Sequence, residues 1–280
     1  MTRECALASA HPENGDKTRA VLQKGKYVSR LAQSTADIAA AQHLRYLAFG
    51  LQDGSGLDTD AFDSSCEHFL IEERVSGTLV CCFRIMHLQG GGEIEKSYSA
   101  QYYELSALHS FDGKLVEMGR FCVHPDVKDP DVLRVAWGAM TKYVDENGVD
   151  LLFGCASFPG TDARTYADAF AMLRDNHLAP ERWLPRIKAP NVVRYAARLR
   201  HKPDMKQALQ RMPPLLRTYL MMGGWVSDHA VRDLQLDTLH VFTGLAIDAM
   251  PEARKARLRA VARAAQVDTT TPLDLARAAP

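Results

Sequence analysis

The order of periodic segments in this 280-residue chain predicts an α/β fold, with a mixed, mostly antiparallel sheet, helices on both faces and a C-terminal extension. Three observations carry that expectation. Short segments are apolar in alternation or in continuous runs, as strands are; others repeat apolar residues at helical spacing; and the two kinds follow one another as strand, helix, hairpin, strand, helix, strand, helix.

Residues 1–26 are polar and aperiodic and are expected to form a disordered or loosely docked arm, ahead of a main domain over residues 27–250. "YVSRLAQ" reads as a short strand. "STADIAAAQHLRYLAFG" reads as a helix with Ser34 or Thr35 as cap and Ile38, Ala41, Leu44 and Leu47 along one face. After a loop rich in Gly and Asp, "HFLIEER" and "GTLVCCFRIMHL" form a hairpin about Val75–Gly77. A short helix is expected around "YYELSALHSF", then a strand from Lys114. "DPDVLRVAWGAMTKYVDENG" is a helix with Val132, Val135, Ala136, Ala139 and Tyr143 inward and Gly148 as its stop. "VDLLFGCAS" has the continuous apolar character of a strand buried on both faces. "GTDARTYADAFAMLRDNH" is a helix capped by Thr161 or Asp162; residues 179–250 show no clear period apart from a late strand, "TLHVFTGLAID". Residues 251–280 form a basic amphipathic helix and tail, with Leu258, Val261, Ala262 and Ala265 on one face.

Charge and composition exclude several classes. The 34 basic residues balance the 34 acidic ones, so no global field points to nucleic acid. Six cysteines (Cys5, Cys66, Cys81, Cys82, Cys122, Cys155) contain no close CxxC pair and follow no secretory leader, so free thiols in the cytoplasm are expected. Cys66 and His68 lack a second ligand pair at zinc spacing; a packed thiol and a surface or strand-end histidine fit better. No apolar run reaches the roughly 20 residues of a membrane span, which leaves peripheral contact with the inner membrane surface through the basic helix.

The chemistry concentrates in "KLVEMGRFCVHPDV", residues 114–127, where Glu117 and Arg120 stand in an otherwise buried strand. In a regular strand they face opposite ways; a bulge at Met118 or Gly119 changes that parity. They form either an ion pair at a strand end or a base and an anion clamp beside a cleft.

Such an element order, with a bulged central strand, resembles the GNAT acyltransferase fold. "LRYLAFG" with Arg45 and Phe49, "DTDAFD" with Asp60 and Asp63, "CFRIM" with Arg84, and "EMGRFCV" with Glu117, Arg120 and Phe121 resemble its acyl-homoserine lactone synthase branch. "EMGRFCVHPD", "GVDLLFGCASFPGTD", "HLAP" and "MPPLLRTYLMMGGWVSDHAV" resemble the bacterial ornithine Nα-acyltransferases that make lyso-ornithine lipid. The resemblance implies an enzyme that moves a 3-hydroxyacyl chain from acyl carrier protein to the α-amino group of L-ornithine, with no bound cofactor. Glutamine or another amino acid as acceptor, homoserine lactone synthesis, and a non-catalytic lipid- or carrier-binding role remain alternatives.

One departure bears on the donor. Where coenzyme A enzymes of the fold carry a glycine-containing pyrophosphate loop, this chain has "HPDVKDPDVLR", with three aspartates and with Pro125 and Pro130, which lack N–H donors. The single phosphate of a 4'-phosphopantetheine arm suits it better than a diphosphate. Glu117 is the candidate base for the acceptor amine, and backbone N–H groups around Phe121, Cys122 and Val123, with Arg120, are candidates for the oxyanion. Alternatively Arg120 orients Glu117. Arg84 is a candidate for the acceptor carboxylate, or else pairs with Asp60 or Asp63, which otherwise meet the ornithine δ-ammonium. Arg45 and Phe49, one helical turn apart, line the acyl or pantetheine entrance or belong to an ordinary amphipathic helix.

Overall fold

Leu22–Lys24 (β1) and Tyr27–Leu31 (β2) pair as a hairpin at one edge of the sheet, in a computed structural model that describes residues 22–264. β1 falls inside the segment expected to be an arm; the rest of that segment, residues 1–21, and residues 265–280, with Ala265, lie outside the described residues. Leu22 is fully buried and anchors the hairpin in the core.

Ser34 caps α1 (Thr35–Ala48), its Oγ accepting the Asp37 N–H. Ala41 and Leu44 pack on Leu70, Cys82 and Cys122. Leu47, expected on that face, is 43% exposed, and Arg45 turns inward instead at 1% exposure because carboxylates of the following loop receive it. Glu67–Glu73 (β3) and Leu79–Leu88 (β4) form the expected hairpin. The helix expected near residues 102–111 is absent: single 3-10 turns at Ser99–Gln101 and Ser106–Leu108 flank a two-residue strand, Tyr103–Glu104 (β5). Lys114–Val123 (β6), Asp131–Asn147 (α2, stopped by Gly148 in the left-handed conformation) and Val149–Pro159 (β7) follow as read from the sequence. Asp162 caps a 3-10 turn, Ala163–Tyr166, ahead of α3 (Ala167–Asn176).

The segment without clear period resolves into short pieces: Arg186–Ile187 (β8, paired with β5), Val192–Val193 (β9), Tyr195–Arg198 (α4), Met205–Arg211 (α5), Pro214–Met221 (α6), Trp225–Val226 (β10) and Ala230–Asp233 (β11). Thr238–Ala246 (β12) and Glu252–Ala264 (α7) complete the chain as described. The main sheet runs β1-β2-β3-β4-β6-β7-β12-β11-β9, with β10 also on β12. Only β6 and β7 among these ladders are parallel.

Alternation sorts the sheet into two faces. One packs Phe69, Phe83, Val116 and Met118 against α2 and α7, and continues under α3, α5 and α6. The other carries α1 and the 3-10 turns. α7 turns Leu258 and Ala262 toward the core, and its Arg259 pairs with Asp145 of α2 at 2.8 Å, so these two members of its apolar face are covered by the domain. Among the described residues no helix is long and apolar enough to cross a membrane.

The feature that positions the site is a parting of strands. β6 and β7 pair from Lys114↔Val149 to Glu117↔Phe153 and no further. At that point the β7 backbone passes so close to Met118 that a Cβ on Gly154 would lie 2.3 Å from the Met118 carbonyl oxygen. Gly154→Ala must push the strands apart; the expected cost is at least about 2 kcal/mol. Calorimetry should show the corresponding fall in Tm of roughly 4–8 °C.

Candidate active site

Opposite Phe83, β6 has two residues where a regular ladder has one. Arg84 pairs with Gly119 and Cys82 with Cys122, which leaves Arg120 and Phe121 as a bulge, and Arg120 takes the left-handed conformation at φ 51°. The bulge lies just beyond the Met118–Gly119 position expected. It places Glu117 and Arg120 on the same face, the α1 face, and turns Phe121 to the other, where its ring stacks on Phe83 with centroids 5.6 Å apart. Cys122 is buried under α1 with Sγ 3.5 Å from Cys82 Sγ, and Val123 packs into the α2-side core. Neither side chain borders the cleft; of those three residues only Phe121 does.

Glu117 is 4% exposed and its carboxylate is gripped by a loop that sequence reasoning did not connect to it. Oε1 accepts the Ser99 N–H at 2.7 Å and the Ser99 hydroxyl at 2.5 Å; Oε2 accepts the Tyr98 N–H at 2.7 Å. Burial pushes the carboxyl above its ordinary range, and these three donors only partly oppose the rise. Tyr98 also lies under Arg120, whose guanidinium carbon is 5.0 Å from the ring centroid.

Three arginines and three aspartates form a buried network beside it. Arg45 meets Asp63 with two parallel bonds at 2.7 and 2.8 Å, and its Nε lies 2.8 Å from Asp58 Oδ2. Arg84 reaches Asp60 Oδ2 at 2.7 Å and Asp63 Oδ1 at 2.6 Å. Arg120 reaches Asp58 Oδ2 at 2.9 Å and Asp60 Oδ2 at 3.0 Å. Burial pushes Asp60 and Asp63 up, but hydrogen bonds and charge from the arginines outweigh it and hold both below the usual carboxylate range. Asp60 and Asp63 therefore have cationic partners already and do not border the cleft, so they are not placed to meet a substrate ammonium. Arg45 does not border it either, contrary to expectation, while Arg84, Arg120 and Phe49 do. Asp58 was missed; its place in an acidic run shortly after Arg45 was the available signal. His68, expected at a surface or strand end, stands at the start of β3 and is buried, with Nε2 2.9 Å from the Asp63 carbonyl oxygen.

Between the parted strands lies a cleft of about 600 Å³. Its α1-face wall carries the polar groups, Arg84, Tyr98, Glu117, Cys155, Ser157 and, farther along, Asp233 and His240, beside Phe49 and Phe62. Leu215, Leu216 and Tyr219 of α6, with Phe121, make an apolar wall on the other side. Burial pushes the Cys155 thiol up to about 12, which leaves it protonated and a poor nucleophile. At the N-terminus of α2, Asp129 Oδ1 accepts the Asp131 N–H at 3.0 Å, so a carboxylate already takes a position that a phosphate would use.

The fold agrees with the family that the chain matches. Residues 44–138 match the acetyltransferase (GNAT) domain family. The L-ornithine N(alpha)-acyltransferase of Rhodobacter capsulatus is 32% identical over 243 residues, covering 82% of this chain and 93% of its own length. The protein of the same name from Brucella abortus is 30% identical over 240 residues, covering 80% and 85%. Among solved structures, an N-acyl amino acid synthase from uncultured soil microbes aligns with TM-score 0.46 at 11% identity, over 85% of this chain and 97% of that one. The chain is an acyltransferase and belongs to the L-ornithine Nα-acyltransferase family of the GNAT superfamily.

Proposed function

We propose that this enzyme transfers a 3-hydroxyacyl group from acyl carrier protein to the α-amino group of L-ornithine, the first step of ornithine lipid biosynthesis. The observation that carries the reading is Glu117, a buried carboxylate with a raised pKa, beside Arg120 on one face of a cleft opened by parted strands. The acceptor reaches neutral solution mostly as an ammonium, so a proton must leave before nitrogen attacks the thioester. Glu117 takes that proton, directly or through a water. Nitrogen then bonds to the thioester carbon, the oxyanion is met by Arg120 and by backbone N–H groups of the bulge, and collapse breaks the C–S bond. The pantetheine sulfur leaves as a thiol with the second amine proton, and an amide remains.

The donor assignment is supported by the carboxylates at the start of α2, Asp129 and Asp131, which repel a diphosphate more than a single phosphodiester. Contact with the carrier protein or with anionic lipid would use the basic side of α7, where Arg257 is exposed. Glutamine in place of ornithine is the second reading; the acidic end of the cleft favours a cationic acceptor.

Purified protein incubated with 3-hydroxyacyl carrier protein and a panel of ornithine, lysine and glutamine should give N-acyl-ornithine as the main product by mass spectrometry. The matching coenzyme A thioester should react with kcat/KM lower by about tenfold or more, a difference of ~1.4 kcal/mol in transition-state binding. Product from glutamine alone would displace the ornithine reading.

A second expectation concerns pH. Glu117 works as its carboxylate, which exists above its pKa; since that pKa is raised, kcat/KM should fall with decreasing pH before ordinary carboxylates titrate. Glu117→Gln should lower kcat by roughly 10²–10⁴ and abolish that acidic limb.

A further inference from the structure

We infer that the far end of the cleft, formed by Asp233, Thr238 and His240, is a receptor for the side-chain ammonium of the acceptor and sets its preference for a cationic amino acid. The inference rests on the acceptor reading above and names residues that neither the motifs nor the resemblance singled out.

The three groups converge by register. Glu117 pairs with Phe153 across β6 and β7, and two-residue steps along β7 give Cys155, Ser157 and Pro159 on the same face. Ser157 stands opposite His240 and Pro159 opposite Thr238 on β12; Thr238 in turn stands opposite Asp233 on β11. The row from Glu117 to Asp233 thus lies along one side of the sheet, and Cys155, Ser157, Thr238, His240 and Asp233 all border the cleft.

Each member has acceptor capacity to spare. Asp233 is 7% exposed, and no cation among the described residues pairs with it; Oδ1 accepts the N–H groups of Gln235 at 2.9 Å and Leu236 at 3.0 Å. A carboxylate so buried without a counter-ion is costly unless a ligand supplies one. His240 is 2% exposed, and its Nε2 is buried with no hydrogen-bond partner among the described residues. The Tyr103 hydroxyl donates to the His240 carbonyl oxygen at 2.8 Å, so its single proton is used there, and the Nδ1 contact at 3.2 Å requires Nδ1 to donate. Nε2 is then the lone-pair nitrogen. Thr238 Oγ1 is likewise buried and unpartnered. A carboxylate oxygen, an imidazole lone pair and a hydroxyl match the three N–H donors of a primary ammonium. By contrast Asp60 and Asp63 are held by arginines, and Glu117 already accepts three hydrogen bonds.

The test compares L-ornithine with L-norvaline, which has the same carbon chain and no terminal amine, in wild type and in Asp233→Asn. Asparagine keeps an oxygen for the Gln235 and Leu236 N–H groups, and the ratio of the two kcat/KM values is independent of the fraction of folded enzyme. The ratio of ornithine to norvaline should fall by at least about thirtyfold, as loss of one member of a buried charge pair implies. Asp233→Glu should recover part of it. An unchanged ratio overturns the subsite, as does a variant inactive on both acceptors in which Asp233→Glu is inactive too, since the role is then structural. A wild type that acylates the α-amine of neither amino acid overturns the acceptor reading itself, a result distinct from an unchanged ratio.

Discussion

Arg120 holds a left-handed backbone conformation that costs a residue with a side chain on the order of 1–3 kcal/mol, and much of the site follows from how that cost is met. Asp58 and Asp60 receive its guanidinium, and the Tyr98 ring lies beneath it. Those contacts exist only if the bulge points the side chain toward α1; a regular strand would send Arg120 to the α2 side, among Phe83 and Met118. The same bulge turns Phe121 toward that core and lets β6 leave β7 beyond Glu117. One extra residue therefore aligns Glu117 with Arg120 and coincides with the opening of the cleft.

Buried charge in this region is tolerable because it is balanced. Arg45, Arg84 and Arg120 share Asp58, Asp60 and Asp63 so that each guanidinium meets two carboxylates and the sum is neutral. Removing one member of such a set leaves its partner uncompensated, at roughly 3–5 kcal/mol, far more than an exposed pair contributes. The network thereby ties the Asp58–Asp63 loop, α1, β4 and β6 into one rigid wall. Its residue types look like substrate ligands, but charge balance makes most of them scaffold.

The elements legible in the sequence were those whose signal is local. Ser34 before an apolar period marked α1, Gly148 marked the end of α2, and continuous apolar runs marked β7 and β12. Glu117 and Arg120 stood out because charge in a buried strand is expensive. What was not legible depends on contacts between distant segments. Arg45 sits at an inward position only because Asp58 and Asp63 wait there, so helical spacing alone favoured Leu47. The turn carrying Tyr98 and Ser99 has no period, yet its N–H groups orient the Glu117 carboxylate. Asp233 lies in a segment of two- to four-residue strands, too short for alternation to register, and His240, although its strand was legible, joins the cleft only through the pairing of β12 with Ser157 on β7.

The cleft joins two chemically different half-sites, and this asymmetry constrains how the proposed reaction is arranged. An acyl chain is stabilised where Phe121, Leu216 and Tyr219 exclude water, whereas an amino acid carrying three charges needs partners of both signs. Such partners stand on the α1-face side, with Arg84 and Arg120 toward one end and Asp233 toward the other. The parted strands are the passage between the two sides, so the proposed reaction has thioester carbon and amine nitrogen meet in the gap where β6 and β7 cease to pair. Water there would compete as a nucleophile, and the apolar wall limits its access on the donor side. In the proposed reaction Glu117 occupies the polar margin of that gap, close enough to the amine to take its proton and buried enough to have a raised pKa. Position and pKa then have one origin: the strand that carries Glu117 is paired with β7 up to that residue and free of it beyond.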